Sequence, residues 1–361
     1  MHIPNPYESK HYKLYFILPV VLIIAALFYI PQIPQGIDLR GGLLISIFTD
    51  GDVTPAKIAE IQSVLAEFKP SSVRSFTSPT GGGVEIEIPS DENLAKGETL
   101  LAEMNGLNNE FVQLEIANSP LAEQKKQDAL AKARELNSLF STVPLSGDVQ
   151  KDVQQAQQEF LTARSSYRQN ISSKLSKVIS VETASFKEVG SSLSKFFVTK
   201  TREVVIYSFA FSAIVIFLVF RALAPSFAVF FGAVADISIT AGVMGLLGIP
   251  LTLASVAALL MLIGFSLDTD VMLTARVIKR KEGTAAQRAF GAMKTGLTMN
   301  ASVLISFGVL LVLSLSLQIP FYYQVGAVAV IGALVDSIAT WMGNAPLILW
   351  SVERKEKNAG A

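Results

Sequence analysis

LTLASVAALLMLIGFSLDTD, residues 251–270, is the stretch whose reading decides the fold. Its first charged side chain is Asp268. An apolar run of about 18 or more residues reads as a transmembrane helix, because roughly 20 residues at 1.5 Å each cross a ~30 Å hydrocarbon core. Leu251–Ala275 is therefore expected to span a membrane. Working outward, the same pattern recurs at Leu14–Ile30, Val204–Phe220, Pro225–Leu247, Gly296–Leu317 and Phe321–Trp350, six runs in all. The first is too long for a signal-peptide core, and no small-residue cleavage site follows it. The last is long enough to tilt, or to end in an interfacial segment marked by Trp341 and Trp350.

Composition agrees. Half the residues (50%) are hydrophobic and mean hydropathy is +0.44, well above that of a soluble domain. Formal net charge is zero, which gives no reason to expect a nucleic-acid partner. There is no cysteine, so disulfides, thiolate chemistry and Cys-based zinc sites are excluded. The two histidines, His2 and His11, precede the first run, so no histidine relays protons inside the membrane. No phosphate-binding loop and no His-containing metal motif is present, so neither an enzyme nor a cofactor or metal is expected.

Lysine and arginine set the orientation. Lys10 and Lys13, Arg221, the cluster Arg276–Lys294, and Arg354, Lys355 and Lys357 all fall on one side of a six-span plan. The opposite turns, Gly248-Ile-Pro250 and Gln318-Ile-Pro320, are uncharged. The positive-inside rule places both termini in the cytoplasm. The expected domains are a cytoplasmic N-terminus (1–13), a first span (14–31), an extracytoplasmic α+β domain (32–120), a helical hairpin returning to the membrane (121–195), a five-helix membrane region (204–350) and a cytoplasmic tail (351–361). Within the outer domain, Leu43–Thr49, Val73–Thr77 and Val84–Ile88 read as strands, the last two around a Gly81–Gly83 turn, and Phe111–Ile116 as a further strand. Pro55–Phe68, N-capped by Thr54, and Asp91–Asn105 read as helices. The stretch from Leu121 to about Lys195, rich in Ala, Gln, Lys, Glu and Leu and broken at Pro144, Ser146 and Gly147, reads as two long helices. They are either a solvated spacer or a contact surface for a partner.

Four aspartates lie at membrane depth: Asp236, Asp268, Asp270 and Asp336. An ionised Asp at a helix centre costs about 2.5–3.5 kcal/mol, so such residues face a bundle interior and mark ion paths, or sit neutral in hydrogen bonds to a neighbouring helix. No Lys, Arg or His at that depth neutralises them, so at least one is expected to be protonated part of the time. Asp268 and Asp270 stand about 200° apart on a helix and cannot share a partner. Asp268 is expected to be the interior one, because Gly264 precedes it by four residues. Gly232 and Gly332 precede Asp236 and Asp336 in the same way, and such glycines let helices pack closely. The segments 232–236 and 332–336 are weakly alike.

Gly36-Ile-Asp-Leu-Arg-Gly-Gly42 resembles the signature that opens the outer domain of the SecD/SecF family of protein-export membrane subunits, with Gly36, Asp38, Arg40, Gly41 and Gly42 at its fixed positions. Val181–Gly190 with Leu193 resembles the stretch leading into that family's second span, although Phe186-Lys-Glu188 departs from its Gly-Pro core. Asp236 with Leu251–Asp268, Asn300-Ala-Ser302 and Ala345-Pro-Leu347 are similar to the family's later spans, closest to an archaeal-type SecF. The resemblance implies half of a resistance-nodulation-division-like transporter. It also implies partnership with a SecD subunit and a SecY-type channel, and an unfolded preprotein on the outer face, with export driven by an ion gradient. Departures are an Asp268-Thr269 pair where bacterial SecF has Asn-Asp, Leu297 where it has Arg, and Asp336 at a usually small position. Two other functions are compatible with the residues: a small-molecule or lipid transporter subunit of the same class, and a structural partner of SecD that carries no ions.

Overall fold

The structure is a computed structural model that describes residues 4–49, 53–78, 81–180, 184–317 and 319–359. The chain divides into two compact units, Met1–Gly36 with Thr199–Ala361, and Ile37–Val198.

In the second unit, a short helix α2 (Ile37–Arg40) follows the first span helix, α1 (Ile17–Tyr29), and leads into strand β1 (Gly42–Thr49). Then come α3 (Pro55–Val64), β2 (Ser72–Ser78), β3 (Gly81–Pro89), α4 (Glu92–Ile116), α5 (Ala122–Phe140), α6 (Val149–Leu175) and β4 (Ala184–Val189). The sheet is antiparallel in the order β2-β3-β1-β4. Side chains alternate across a strand, so Leu43, Ile45 and Ile47 of β1 and Val84, Ile86 and Ile88 of β3 share one buried face. Ile61 and Leu65 near α3, with Ile171 and Leu175 of α6, cover that face. Thr54 caps α3 by accepting from the Lys57 N–H.

Three expectations need correction. Phe111–Ile116 is not a strand but the end of α4, because Phe111 packs at helical spacing with Leu100 and Met104 against Leu130 and Val153. The Gly81–Gly83 turn is instead the start of β3, with Gly83 opposite Phe48; residues 79 and 80 lie outside the described residues. The return from the hairpin contains a fourth strand, β4, whose Phe186 pairs with Ile45; Val181–Thr183 lie outside the described residues. The hairpin helices α5 and α6 join α4 in one apolar core through Ala133, Leu136, Ala156 and Phe160. The buried Asp152 carboxylate fixes their turn by accepting from Ser146 N–H, Ser146 Oγ and Gly147 N–H at 2.7–2.8 Å.

The first unit holds the membrane helices. After α1 come α7 (Ser191–Phe220, which begins in the other unit), α8 (Leu223–Leu247), α9 (Leu253–Lys279), α10 (Ala285–Leu317), α11 (Pro320–Ile338), a π-helical turn at Ala339–Asn344, and α12 (Ala345–Ala359). Among the described residues, six segments are long and apolar enough to span a bilayer, the last running from Phe321 to Lys355 through the π turn. Gly248, at φ 67°, closes α8 in the left-handed conformation that glycine adopts without strain. The following Leu251 exchanges backbone hydrogen bonds with Pro34 and Gly36 at 2.7 and 2.9 Å, which ties the exit of α1 to the α8–α9 turn. At the other end, Tyr12 Oη donates to Glu353 at 2.7 Å and Lys13 pairs with Glu353 at 3.0 Å, so both terminal segments lie on one side of the bundle. Trp350 is half exposed, whereas Trp341 is buried and not interfacial: its ring fills the space left by Gly296 of α10.

A candidate ion-coupling site in the membrane bundle

Asp236 of α8, Asp270 of α9 and Asp336 of α11 are all buried, and polar side chains join them into one network. Asp236 Oδ2 accepts from Ser266 Oγ. Asp336 Oδ2 accepts from Asn300 Nδ2 of α10 at 2.7 Å. Asp270 Oδ1 takes Asn344 Nδ2 at 2.7 Å and Thr340 Oγ1 at 2.9 Å, and Thr340 Oγ1 also lies 3.0 Å from Asp336 Oδ1. The carboxyls of Asp236 and Asp336 are within hydrogen-bonding reach of each other.

Proton counting decides what this network is. A carboxylate only accepts, and a hydroxyl has one proton to give. Thr340 therefore cannot donate to Asp270 and Asp336 at once, and two carboxyls in contact need a proton between them. The network closes only when protons sit on some of its carboxyls. Desolvation points the same way, since three buried charges without a partner cost far more than neutral acids, and among the described residues no Lys, Arg or His adjoins the three.

Several buried polar atoms have no protein partner among the described residues: Asp236 Oδ1, Thr240 Oγ1, Asp270 Oδ2, Thr274 Oγ1 and Asn344 Oδ1. Thr240 is one turn beyond Asp236 on α8, and Thr274 one turn beyond Asp270 on α9. α8 and α9 run in opposite directions, so these threonines extend the file of unpaired atoms both ways along the bundle axis. Buried polar groups are nearly always paired, so these atoms are hydrogen-bonding capacity that the described protein groups leave unused.

Local sequence explains the geometry. Gly232 lies against Asp270, and a Cβ there would collide with the carboxyl. The glycine thus makes room for a side chain on the neighbouring helix rather than for Asp236 on its own. Gly332 does the same for Leu262. On an unbroken helix Asp336 and Asn344 would stand about 80° apart. One extra residue in the π turn removes about 100°, which leaves the two within about 20°. The turn has a visible cause. Pro346 has no N–H to offer the carbonyl four residues back, and its ring clashes there.

Asp268 is not interior. It is exposed on the outer face of α9, together with Gly264, around which a Cβ would meet nothing. The 200° separation was the right constraint, but the other member of the pair, Asp270, faces inward. Sequence reasoning did not single out Ser266, Thr340 and Asn344; the Pro346 signal, placed two residues after Asn344, could have drawn attention to the last two.

Of the family-signature residues, Gly36 belongs to the first unit, where its N–H bonds the Leu251 carbonyl, and Asp38 to Gly42 belong to the second. Asp38 pairs with Lys187 at 3.0 Å, and Arg40 is exposed. Gly41 and Gly42 have φ of 78° and 140°, and a Cβ on Gly42 would strike the Ile88 carbonyl. These two positions need glycine so that β1 can begin against β3.

The family model for the C-terminal part of the protein-export membrane proteins SecD/SecF matches residues 170–354. The SecF protein-export membrane protein of Methanothermobacter thermautotrophicus is 36% identical over 258 residues, 70% of this chain and 88% of that protein. Those of Methanolacinia petrolearia and Methanocaldococcus jannaschii are 37% and 38% identical over 48% and 46% of this chain. The chain matches 61% and 60% of the length of these two relatives. A crystal structure of SecDF from Thermus thermophilus, described as a translocon-associated membrane protein, superposes with a TM-score of 0.54 at 14% identity. It covers 95% of this chain, which covers 59% of it, and the likeness is one of fold.

Proposed function

The chain belongs to the SecD/SecF family of protein-export membrane proteins, and on that premise we propose that it is a SecF-type accessory subunit of the Sec translocase whose buried aspartates couple an ion gradient to the export of unfolded polypeptides. The observation that carries the coupling is the Asp236–Asp270–Asp336 network, which is complete only with shared protons. A carboxyl that gains or loses a proton there changes which donors it can keep. Thr340 must then swing toward Asp270 or toward Asp336, and α9 and α11 are pulled together or released. The file of unpaired atoms from Thr240 to Thr274 supplies positions for water through which protons reach the cluster.

In this reading the positive end of the bundle is cytoplasmic, and the unit Ile37–Val198 faces outward, where it meets the emerging preprotein. The exposed face of α9 with Ala257, Gly264 and Asp268 is where a SecD-like subunit docks, beside a SecY-type channel. An exposed carboxyl at membrane depth is costly against lipid, and small residues beside it admit a close helix. Purification from native membranes in mild detergent tests the assignment: a SecD-like chain should co-purify. Its absence, with the protein intact and folded, would refute the partnership.

A further inference from the structure

The π turn has a second consequence. The Ala345 N–H bonds to the Thr340 carbonyl, five residues back. The Trp341 carbonyl thereby loses its ordinary partner, which is that same N–H, and the next candidate in the chain is Pro346, which has none. A buried carbonyl without a donor is expensive. Its donor comes from the far end of the chain: Tyr7 Oη gives its proton to the Trp341 oxygen at 2.8 Å.

Tyr7 is well placed to do this. It is buried at 4% exposure and sits in a 3-10 turn, Pro6–Glu8, whose N-cap Asn5 accepts from the Tyr7 N–H at 3.0 Å. Asn5 also donates to the Ala286 carbonyl of α10 at 3.3 Å, which anchors the turn to the bundle. The ring packs into the apolar cluster of Leu273, Ala289 and Trp341. The residues on either side of the capped carbonyl are those that matter for the site, for Thr340 precedes Trp341 and Asn344 completes the turn, and both donate to Asp270 Oδ1.

We propose that Tyr7 is a positioning residue for the aspartate cluster: by holding the Trp341 carbonyl, its hydroxyl keeps residues 339–344 in the π register that aims Thr340 and Asn344 at Asp270. Without that hydroxyl, the Trp341 carbonyl recovers a donor only by taking the Ala345 N–H from Thr340. That exchange turns the π turn into an α turn and rotates Asn344 by about 100° relative to Asp336, away from Asp270. The inference deepens the coupling role but does not depend on export being that role.

Tyr7→Phe in the full chain, purified in detergent, provides the test, because it removes only the oxygen and keeps the ring. Two readouts apply: hydrogen exchange of the backbone at 341–347, and the infrared stretch of the Asp270 carboxyl group, identified by its loss in Asp270→Asn. Tyr7→Phe should change exchange at 345 about tenfold or more and shift the Asp270 band. Pro346→Ala, which removes the cause of the wide turn and leaves Tyr7 in place, should move both readouts in the same direction. Export by Tyr7→Phe should fall as well; a shifted band with undiminished export would uphold the positioning and count against the coupling function. Unchanged exchange and an unchanged band in folded Tyr7→Phe would overturn the proposal. So would a Tyr7→Phe protein that fails to fold while Pro346→Ala leaves both readouts at their wild-type values, since Tyr7 would then be a packing residue only.

Discussion

Gly232 and Asp270 occupy one space: the side chain that the α8 glycine lacks is the volume the α9 carboxyl fills. Adding a methyl group at 232 must push either the carboxyl or the helix. Overpacking of this kind costs about 1–3 kcal/mol. Gly232→Ala should therefore lower the thermal stability of the detergent-purified protein and its export activity. Truncating the carboxyl in the double variant Gly232→Ala/Asp270→Ala should recover stability but not export. A fully active Gly232→Ala protein would mean that Asp270 need not stand where it does.

The exposed Asp268 calls for the opposite kind of effect. Asp268→Asn replaces the carboxyl on the outer face of α9 by an amide without touching the hydrogen bonds of the buried cluster. It should weaken retention of the SecD-like subunit during purification and leave the melting temperature of the isolated chain unchanged. Replacing Gly264 by leucine should do the same by obstructing the close approach. Retention at the wild-type level in both variants would remove α9 as the docking face.

Asp152 makes a prediction for the unit Ile37–Val198. Its carboxylate satisfies two backbone N–H groups and a hydroxyl in the hairpin turn. Asp152→Ala leaves those donors unpaired, and hydrogen bonds to a charged group are worth about 1.5–3 kcal/mol each at most. A loss of about 2–3 kcal/mol in unfolding free energy is expected, seen as a drop in the melting transition of that unit and faster hydrogen exchange at 146–152. Asp152→Asn should recover only part of it.

Glu85 and Glu87 give the unit Ile37–Val198 a pH dependence. Burial pushes both carboxyls up from the ordinary Glu value, and for Glu85 the neighbouring Glu87 adds to it, against the lowering effect of Arg74 and Lys187. For an acid whose folded-state value is raised, the associated stability is fully present below the unfolded value and is lost as pH rises through the folded one. The unit should thus be less stable at neutral pH than Glu85→Gln/Glu87→Gln, with the gap closing as pH falls into the carboxylate range. Melting curves of both proteins between pH 4 and pH 8, an interval chosen around the ~4.3 reference value for Glu, check the sign; a gap that widens on acidification would contradict it.

Much of this architecture is legible in the sequence because hydropathy and period carry it. The six spans follow from uncharged length, and β1 and β3 from alternation. Where reading failed, the missing information was the neighbour. The alternating Phe111-Val-Gln-Leu-Glu-Ile116 stretch fits a strand locally, but in the fold Phe111 continues the helical stripe of Leu100 and Met104 onto α5 and α6. Periodicity separates Asp268 from Asp270 without saying which way α9 is turned. The glycine that decides it, Gly232, lies on another helix, whereas the glycine on the same helix, Gly264, borders open space. β4 was hidden in a polar return segment because only its register with Gly42–Ile47 makes it a strand.

The coupling role rests on Asp270, the carboxyl that takes both Thr340 and Asn344. Its most direct test is gradient-dependent export in sealed membrane vesicles containing Asp270→Asn, with the proton gradient and the sodium gradient imposed separately. An amide keeps the shape but neither gains nor loses a proton. The account predicts that membrane integration and partner association persist while stimulation by the gradient disappears. Gradient-stimulated export at the wild-type level in Asp270→Asn would contradict it.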